Sequence, residues 1–193
     1  MGLVRRIWDR VVAYVAHDDP MVSACNLIAL TVASNQPFYP LYVYWAVSDH
    51  VWPTFLTFLS TPFFLAVPAV ARRYSKTGRA LLSIVGLANT ILSAKVFGQP
   101  SGVEVFLIPC ALIAATFFRS SERLVAWILI GAALLIYFGL SGAYGSPLHT
   151  YSAFEYKAFL RLNAISAGML TVFVGLIASG LMSQINSRNS TLA

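Results

Sequence analysis

Six long stretches of this chain, at about residues 21–46, 51–71, 78–97, 103–118, 122–141 and 154–182, carry almost no charge outside their ends. A helix that crosses a bilayer needs about 20 predominantly apolar residues, so six such runs in one short chain dictate a membrane protein. With 58% hydrophobic and only 10% charged residues, the composition lies far from the roughly 25% charge of soluble domains. Backbone amides within hydrocarbon must be satisfied inside their own segment, and runs this long exclude a barrel. The expected fold is an all-α bundle of six transmembrane helices. The fourth run is short for a span, and the first and last are long.

Ahead of these runs, Leu3, Val4, Ile7, Trp8, Val11, Val12 and Val15 alternate at helical spacing with Arg5, Arg6, Asp9 and Arg10. That pattern predicts an amphipathic helix on an anionic membrane surface, ended by Asp18, Asp19 and Pro20. The chain thus divides into an interfacial helix (1–19), a six-helix membrane domain (20–183) and a polar tail (184–193). A sixth helix over 154–182 would be about 43 Å long against a hydrocarbon core of about 30 Å, so it is expected to protrude.

The net charge of +6 does not point to nucleic acid, because the basic residues form no stripe interleaved with stacking aromatics. Most lie in the gaps between runs. With the N-terminus inside, Arg5, Arg6, Arg10, Arg72, Arg73, Lys76, Arg79, Arg119, Arg123 and Arg188 fall on the cytoplasmic side, against Lys95, Lys157 and Arg161 on the other. This bias predicts cytoplasmic termini and an integral plasma membrane location, the bacterial inner membrane.

Candidate functional groups gather in the outer half. Glu104 and Glu155 open the fourth and sixth runs, where an acid either caps a helix dipole or does chemistry. Lys157 and Arg161 share one helical face, and two cations at that spacing repel unless something anionic meets them. The expected counterparts are Glu104, Glu155, a lipid phosphate or a ligand carboxylate. Asn163 and Tyr151 lie close by in sequence. The first run contains "NQPFYPLYVYW", where Pro37 and Pro40 remove helix donors beside Phe38, Tyr39 and Tyr42: a kinked pocket wall or an interfacial aromatic belt. Asn26, Asn35, Asn89 and Ser93 read as interhelical hydrogen-bonding groups. Only His50 and His149 could share a level as metal ligands, and no haem or metal cofactor is expected. Cys25 and Cys110 read as buried thiols. No hydrolase, zinc-protease or phosphate-loop motif occurs.

The segments "EVFLIPCALIAATFFRSSERLVAW" and "FLRLNAISAGMLTVFVGLIASG" resemble the hexahelical membrane domains that precede catalytic modules in bacterial class III adenylate cyclases and some sensor kinases. The likeness rests on the six-run layout, a short fourth run with an internal proline, the Phe-Arg-x-x-Glu-Arg turn and the Arg-x-Asn entry to the last run. It implies a dimeric sensory anchor whose output module is absent from these residues.

The resulting expectation is a receptor domain binding a fatty-acid-like anionic amphiphile in an outer-half pocket of Phe38, Tyr39, Tyr42, Glu104, Tyr151, Glu155, Lys157, Arg161 and Asn163. A transporter with two inverted three-helix halves is the alternative, since the proline-interrupted runs are the first and fourth. A lipid-directed enzyme using Glu104 with His50 or His149 is the third.

Overall fold

A computed structural model describes residues 2–191, except the side chains of residues 3, 4 and 184–191. Eight α-helices account for most of the chain, and no strand occurs among the described residues. They are α1 (Gly2–Val15), α2 (Pro20–Asn35), α3 (Tyr39–Ala46), α4 (Thr61–Arg73), α5 (Ser75–Phe97), α6 (Leu107–Thr116), α7 (Arg123–Leu140) and α8 (Ala153–Thr191). Four helical stretches, Trp52–Arg73, Ser75–Phe97, Ser120–Leu140 and Ala153–Ser183, are long and apolar enough to cross a membrane, and Val103–Thr116 is a shorter apolar one.

The first apolar run is not one helix. Pro37 and Pro40 withhold two backbone donors, and the chain passes from α2 through a 3-10 turn at Gln36–Phe38 into α3. The second run also changes form: Trp52–Ser60 is a nine-residue 3-10 helix that continues as α4. Its cause is visible in "TFLTFLS", where Thr54, Thr57 and Ser60 recur every third residue. Their hydroxyls donate back to the carbonyls of Val51, Thr54 and Thr57 at 2.5, 2.7 and 2.8 Å. A three-residue period matches the three residues per turn of a 3-10 helix, so all three hydroxyls lie on one face.

One end of the bundle is basic. Arg72 donates to the carbonyls of Ala13 and Tyr14, and the Tyr14 hydroxyl donates to Leu65 O at 2.6 Å, which docks the end of α1 against α4. Further along α1, Ile7, Trp8 and Val12 are exposed together with Arg5, Arg6 and Arg10. The core at this end unites Cys25, Ile28, Phe64, Val67, Phe117 and Val174. A second core at the far end unites Val43, Val96, Phe97, Tyr151 and Phe159. Cys25 and Cys110 are both buried free thiols.

Two glycines show how tightly the helices approach. A Cβ on Gly78 would come within 2.4 Å of Ala71 Cβ and 2.5 Å of its Cα, so α4 and α5 meet backbone to backbone. Gly102, at φ 68°, turns the chain between two 3-10 turns, Gln99–Ser101 and Val103–Phe106, that lead into α6. Only glycine adopts that conformation without strain.

The helix α8 runs through the region expected as a tail. Its 39 residues correspond to about 58 Å, and Leu181 is the last buried side chain among the described residues.

Candidate functional site

The expected outer pocket resolves into separate clusters at the far end. Asn163 is fully buried on α8. It accepts the Tyr39 hydroxyl at 3.0 Å through Oδ1 and donates to Ser101 O at 2.9 Å through Nδ2. One amide therefore ties α3 and the Gln99–Ser101 turn to α8. Replacing it with leucine leaves a buried hydroxyl and carbonyl without partners, which costs about 1–3 kcal/mol. Thermal unfolding in detergent is expected to show N163L well below the wild type, and an unchanged midpoint would refute this clamp.

Arg161 does not face Glu104. Two residues along an α-helix correspond to about 200° of rotation, so burying Asn163 turns Arg161 outward. Arg161 and Lys157 are exposed and, with Ala46, Phe154, Leu162 and Ile165, line an open groove of about 450 Å³ between the end of α3 and α8. Neither cation has an acidic partner among the described residues. Their shared face is as the spacing predicts, and their pairing with Glu104 or Glu155 is not found.

Glu104 is buried instead in the Val103–Phe106 turn, at 7% exposure, and its Oε1 has no hydrogen-bond partner. Glu155 caps α8: it accepts from Ser152 N at 2.7 Å, while its own N–H donates to Ser152 Oγ at 3.3 Å. This is a capping box, the structural role open to it from the start. Phe38 is exposed, Tyr42 donates to Asn35 Oδ1 at 3.2 Å, and neither lines the groove.

His50 and His149 do meet at one level. Their rings stack at 4.7 Å between centroids and 12° between planes. Imidazole lone pairs lie in the ring plane, so a single ion cannot lie on the axes of both rings as they stand. Asp49 Oδ1 is 2.9 Å from His50 Nδ1. The Tyr151 hydroxyl donates to His50 O at 3.1 Å, so the segments 47–51 and 141–152 are fastened together. Burial first, then Tyr156 and Glu155, pushes the Tyr151 phenol up to about 12. A raised acid pKa means that the folded form holds its proton longer. The stabilisation is complete below the ordinary value near 10 and is lost as pH rises through about 12. Phenolate absorbance is expected to show the late-titrating fraction smaller by one tyrosine in Tyr151→Phe than in the wild type, with Tyr144 still titrating late.

Two polar assemblies went unread in the sequence. The first joins the two breaks in regular helix. Gln36 Nε2 donates to Thr57 O at 3.2 Å and Ser60 Oγ at 2.6 Å, Gln36 Oε1 accepts from Thr61, and Ser60 Oγ lies 2.9 Å from Asn89 Oδ1. The signal was present in the spacing of Thr54, Thr57 and Ser60.

The second lies at the basic end, where Arg79 is 1% exposed. Its Nη1 and Nη2 each reach a Glu122 oxygen at 2.9 Å, and Nη1 also donates to Phe117 O at 2.7 Å. Glu122 further accepts from Arg119 N at 3.0 Å, and Arg119 pairs with Asp19 at 2.7 Å. The Phe-Arg-x-x-Glu-Arg turn is therefore a structural lock joining α2, α5, α6 and α7.

Compared with family models, curated proteins and solved structures, the chain has no match.

Proposed function

We propose that this chain is a membrane sensory module that takes up a lipophilic anion in the Lys157–Arg161 groove and passes the signal along α8 to a cytoplasmic output. The carrying observation is the continuity of α8, which bears near its start both cations that have no acidic partner among the described residues and runs without a break to Thr191. A fatty-acid-like carboxylate suits the groove: two cations can hold the head while Phe154, Leu162 and Ile165 contact the chain. A ligand moves such a helix only by binding two arrangements of the bundle unequally.

In this reading the bundle crosses the plasma membrane six times. The broken first run and the short Val103–Thr116 segment complete the four long spans. The arginines around Arg79 and Arg119 support an inner side at that end, and with it cytoplasmic termini. The uncovered Ile7, Trp8 and Val12 of α1 rest in the headgroup layer. A homodimer joined to a cyclase- or kinase-like output, as the resemblance implies, completes the proposal.

The experiment is thermal stabilisation by oleate of the full chain in detergent. Oleate is expected to raise the midpoint of the wild type by several degrees, with the gain reduced in Lys157→Ala and Arg161→Ala and lost in the double variant. Equal stabilisation of wild type and double variant would falsify the groove as the site.

A transporter is favoured by one specific feature: 3-10 turns at Gln36–Phe38 and Val103–Phe106 fall in the first and fourth runs, which correspond in two inverted halves, although Pro109 lies within the continuous α6. Substrate flux in proteoliposomes separates the two, since a pure receptor shows none.

A further inference from the structure

The last turn of α1 is pinned to the bundle from two helices. Asn26 Nδ2 on α2 donates to Val15 O at 2.9 Å. On α4, Leu65 O accepts the Tyr14 hydroxyl, and Arg72 donates to the carbonyls of Ala13 and Tyr14 with its guanidinium carbon 5.0 Å from the centre of the Tyr14 ring. From that point α1 and α2 run alongside one another in opposite directions. A cleft of about 450 Å³ opens between them, lined by Ile7, Arg10, Val11 and Tyr14 of α1 and by Leu30 of α2. Positions 7, 10, 11 and 14 make one face of a helix, so a single stripe of α1 is turned toward α2.

The cleft combines a cation with apolar walls. Arg10 is exposed and lies one turn from Arg6, and two cations at that spacing repel unless an anion meets them. Asp9, the sole acid of α1, pairs with neither, and neither arginine has an acidic partner among the described residues. The Tyr14 hydroxyl is committed to Leu65, which leaves Arg10 as the polar side chain of the lining able to meet a ligand. Ile7 is 54% exposed and Leu30 is only half-buried, so apolar surface stands uncovered beside that charge. A guanidinium matches the oxygens of a phosphate with two parallel N–H groups. A phosphate carried on a hydrocarbon chain satisfies both parts of the lining, and basic pockets between helices on the inner side of a membrane hold anionic lipid headgroups in this way.

We propose that the cleft between α1 and α2 is a binding site for one anionic phospholipid, with the phosphate on Arg10 and an acyl chain laid along Ile7, Val11 and Leu30. General attraction to an anionic surface would use Arg5, Arg6 and Arg10 alike, whereas a discrete site does not. At 100° per residue Arg5 lies on nearly the opposite side of α1 from the face that lines the cleft. The bound lipid bridges α1 and α2 beyond the pinned turn and so fixes the angle at which α1 leaves the bundle. The proposal rests on the reading of α1 as an interfacial helix, and the site shares no residue with the Lys157–Arg161 groove.

The test is native mass spectrometry of the full chain in detergent, titrated with phosphatidylglycerol or with phosphatidylcholine of the same acyl chains. One phosphatidylglycerol is expected to be retained, with several-fold weaker retention of phosphatidylcholine. Arg10→Gln is expected to weaken the phosphatidylglycerol adduct several-fold, and Leu30→Trp, which fills the cleft without touching its charge, to do the same. Both positions reach the surface, so both variants are expected to keep the wild-type unfolding midpoint in detergent alone. Arg5→Gln and the double variant Lys157→Ala with Arg161→Ala are expected to retain the lipid as the wild type does. Equal losses in Arg5→Gln and Arg10→Gln overturn the discrete site and leave α1 as a helix attracted to anionic surfaces in general. No preference for phosphatidylglycerol in the wild type overturns the site and the interfacial reading together. Displacement of the lipid by inorganic phosphate identifies a site for free phosphate, and a loss confined to the Lys157–Arg161 double variant moves the lipid to the other groove; either result overturns the proposal.

Discussion

Arg79→Ala is expected to lower stability by about 3–5 kcal/mol, the usual cost of removing one partner from a buried ion pair. The guanidinium has almost no contact with solvent, and its donors are spread over Glu122, the Phe117 carbonyl, and the carbonyl and hydroxyl of Ser75. Phe118 lies with its ring 5.4 Å from the guanidinium carbon. Truncation leaves the Glu122 carboxylate, with a side chain only 15% exposed, beside a carbonyl that has lost its donor. Arg79→Lys keeps the charge but cannot present two parallel N–H groups to one carboxylate, so it is expected to recover only part of the loss. A double variant, Arg79→Met with Glu122→Gln, is expected to be more stable than either single change, because no buried charge is then left unmatched. The measurement is equilibrium unfolding in mixed micelles. A loss below about 1 kcal/mol for Arg79→Ala is what an exposed pair would give, and it would refute the lock.

Gly78→Val is the second large effect. Its side chain would have to enter space occupied by the Ala71 backbone, whose Cα and N lie 2.5 and 2.8 Å from the Cβ position. No rotamer relieves a contact with backbone, so α4 and α5 must separate along their whole contact. Overpacking of this kind costs about 1–3 kcal/mol and occasionally more. Gly78→Ala already carries the clash and is expected to lose most of that amount. Gly168→Ala on α8 is the control: nothing lies within 4 Å of its Cβ, and alanine is the better helix former, so it is expected to be neutral or slightly stabilising. If Gly78→Ala unfolds at the same temperature as Gly168→Ala, the close approach of α4 and α5 is not as described.

The apolar runs were legible as helices because run length is a property of composition alone. Legible too was the break at Pro37 and Pro40, since a missing N–H is written in the residue type. His50 and His149 were placed at one level by counting residues from the ends of their runs, and their rings do stack. Whether Arg161 points in or out was not legible, because that depends on which neighbour the bundle buries. Asn163 wins that competition through two hydrogen bonds, and Arg161 is turned outward as a result.

Arg79 looked like one more cation at a helix end, and its burial follows from a carboxylate that arrives 43 residues later in the chain. The outer residues were expected in one pocket for a related reason. Proximity along α8 is not proximity around it, and Glu104, Arg161 and Glu155 each answer to a different neighbour.

The Trp52–Ser60 segment has a mechanical side. As a 3-10 helix of nine residues it rises about 18 Å, whereas the same residues in α-helical form would rise about 13–14 Å. The tighter winding also advances each residue by about 20° more than an α-helix does, so a full conversion would spread Thr54, Thr57 and Ser60 over about 120° of the helix and they could no longer form one row facing Gln36 and Asn89. Its length and its facing direction are therefore coupled like the travel and rotation of a screw, with the hydroxyl ladder as the thread.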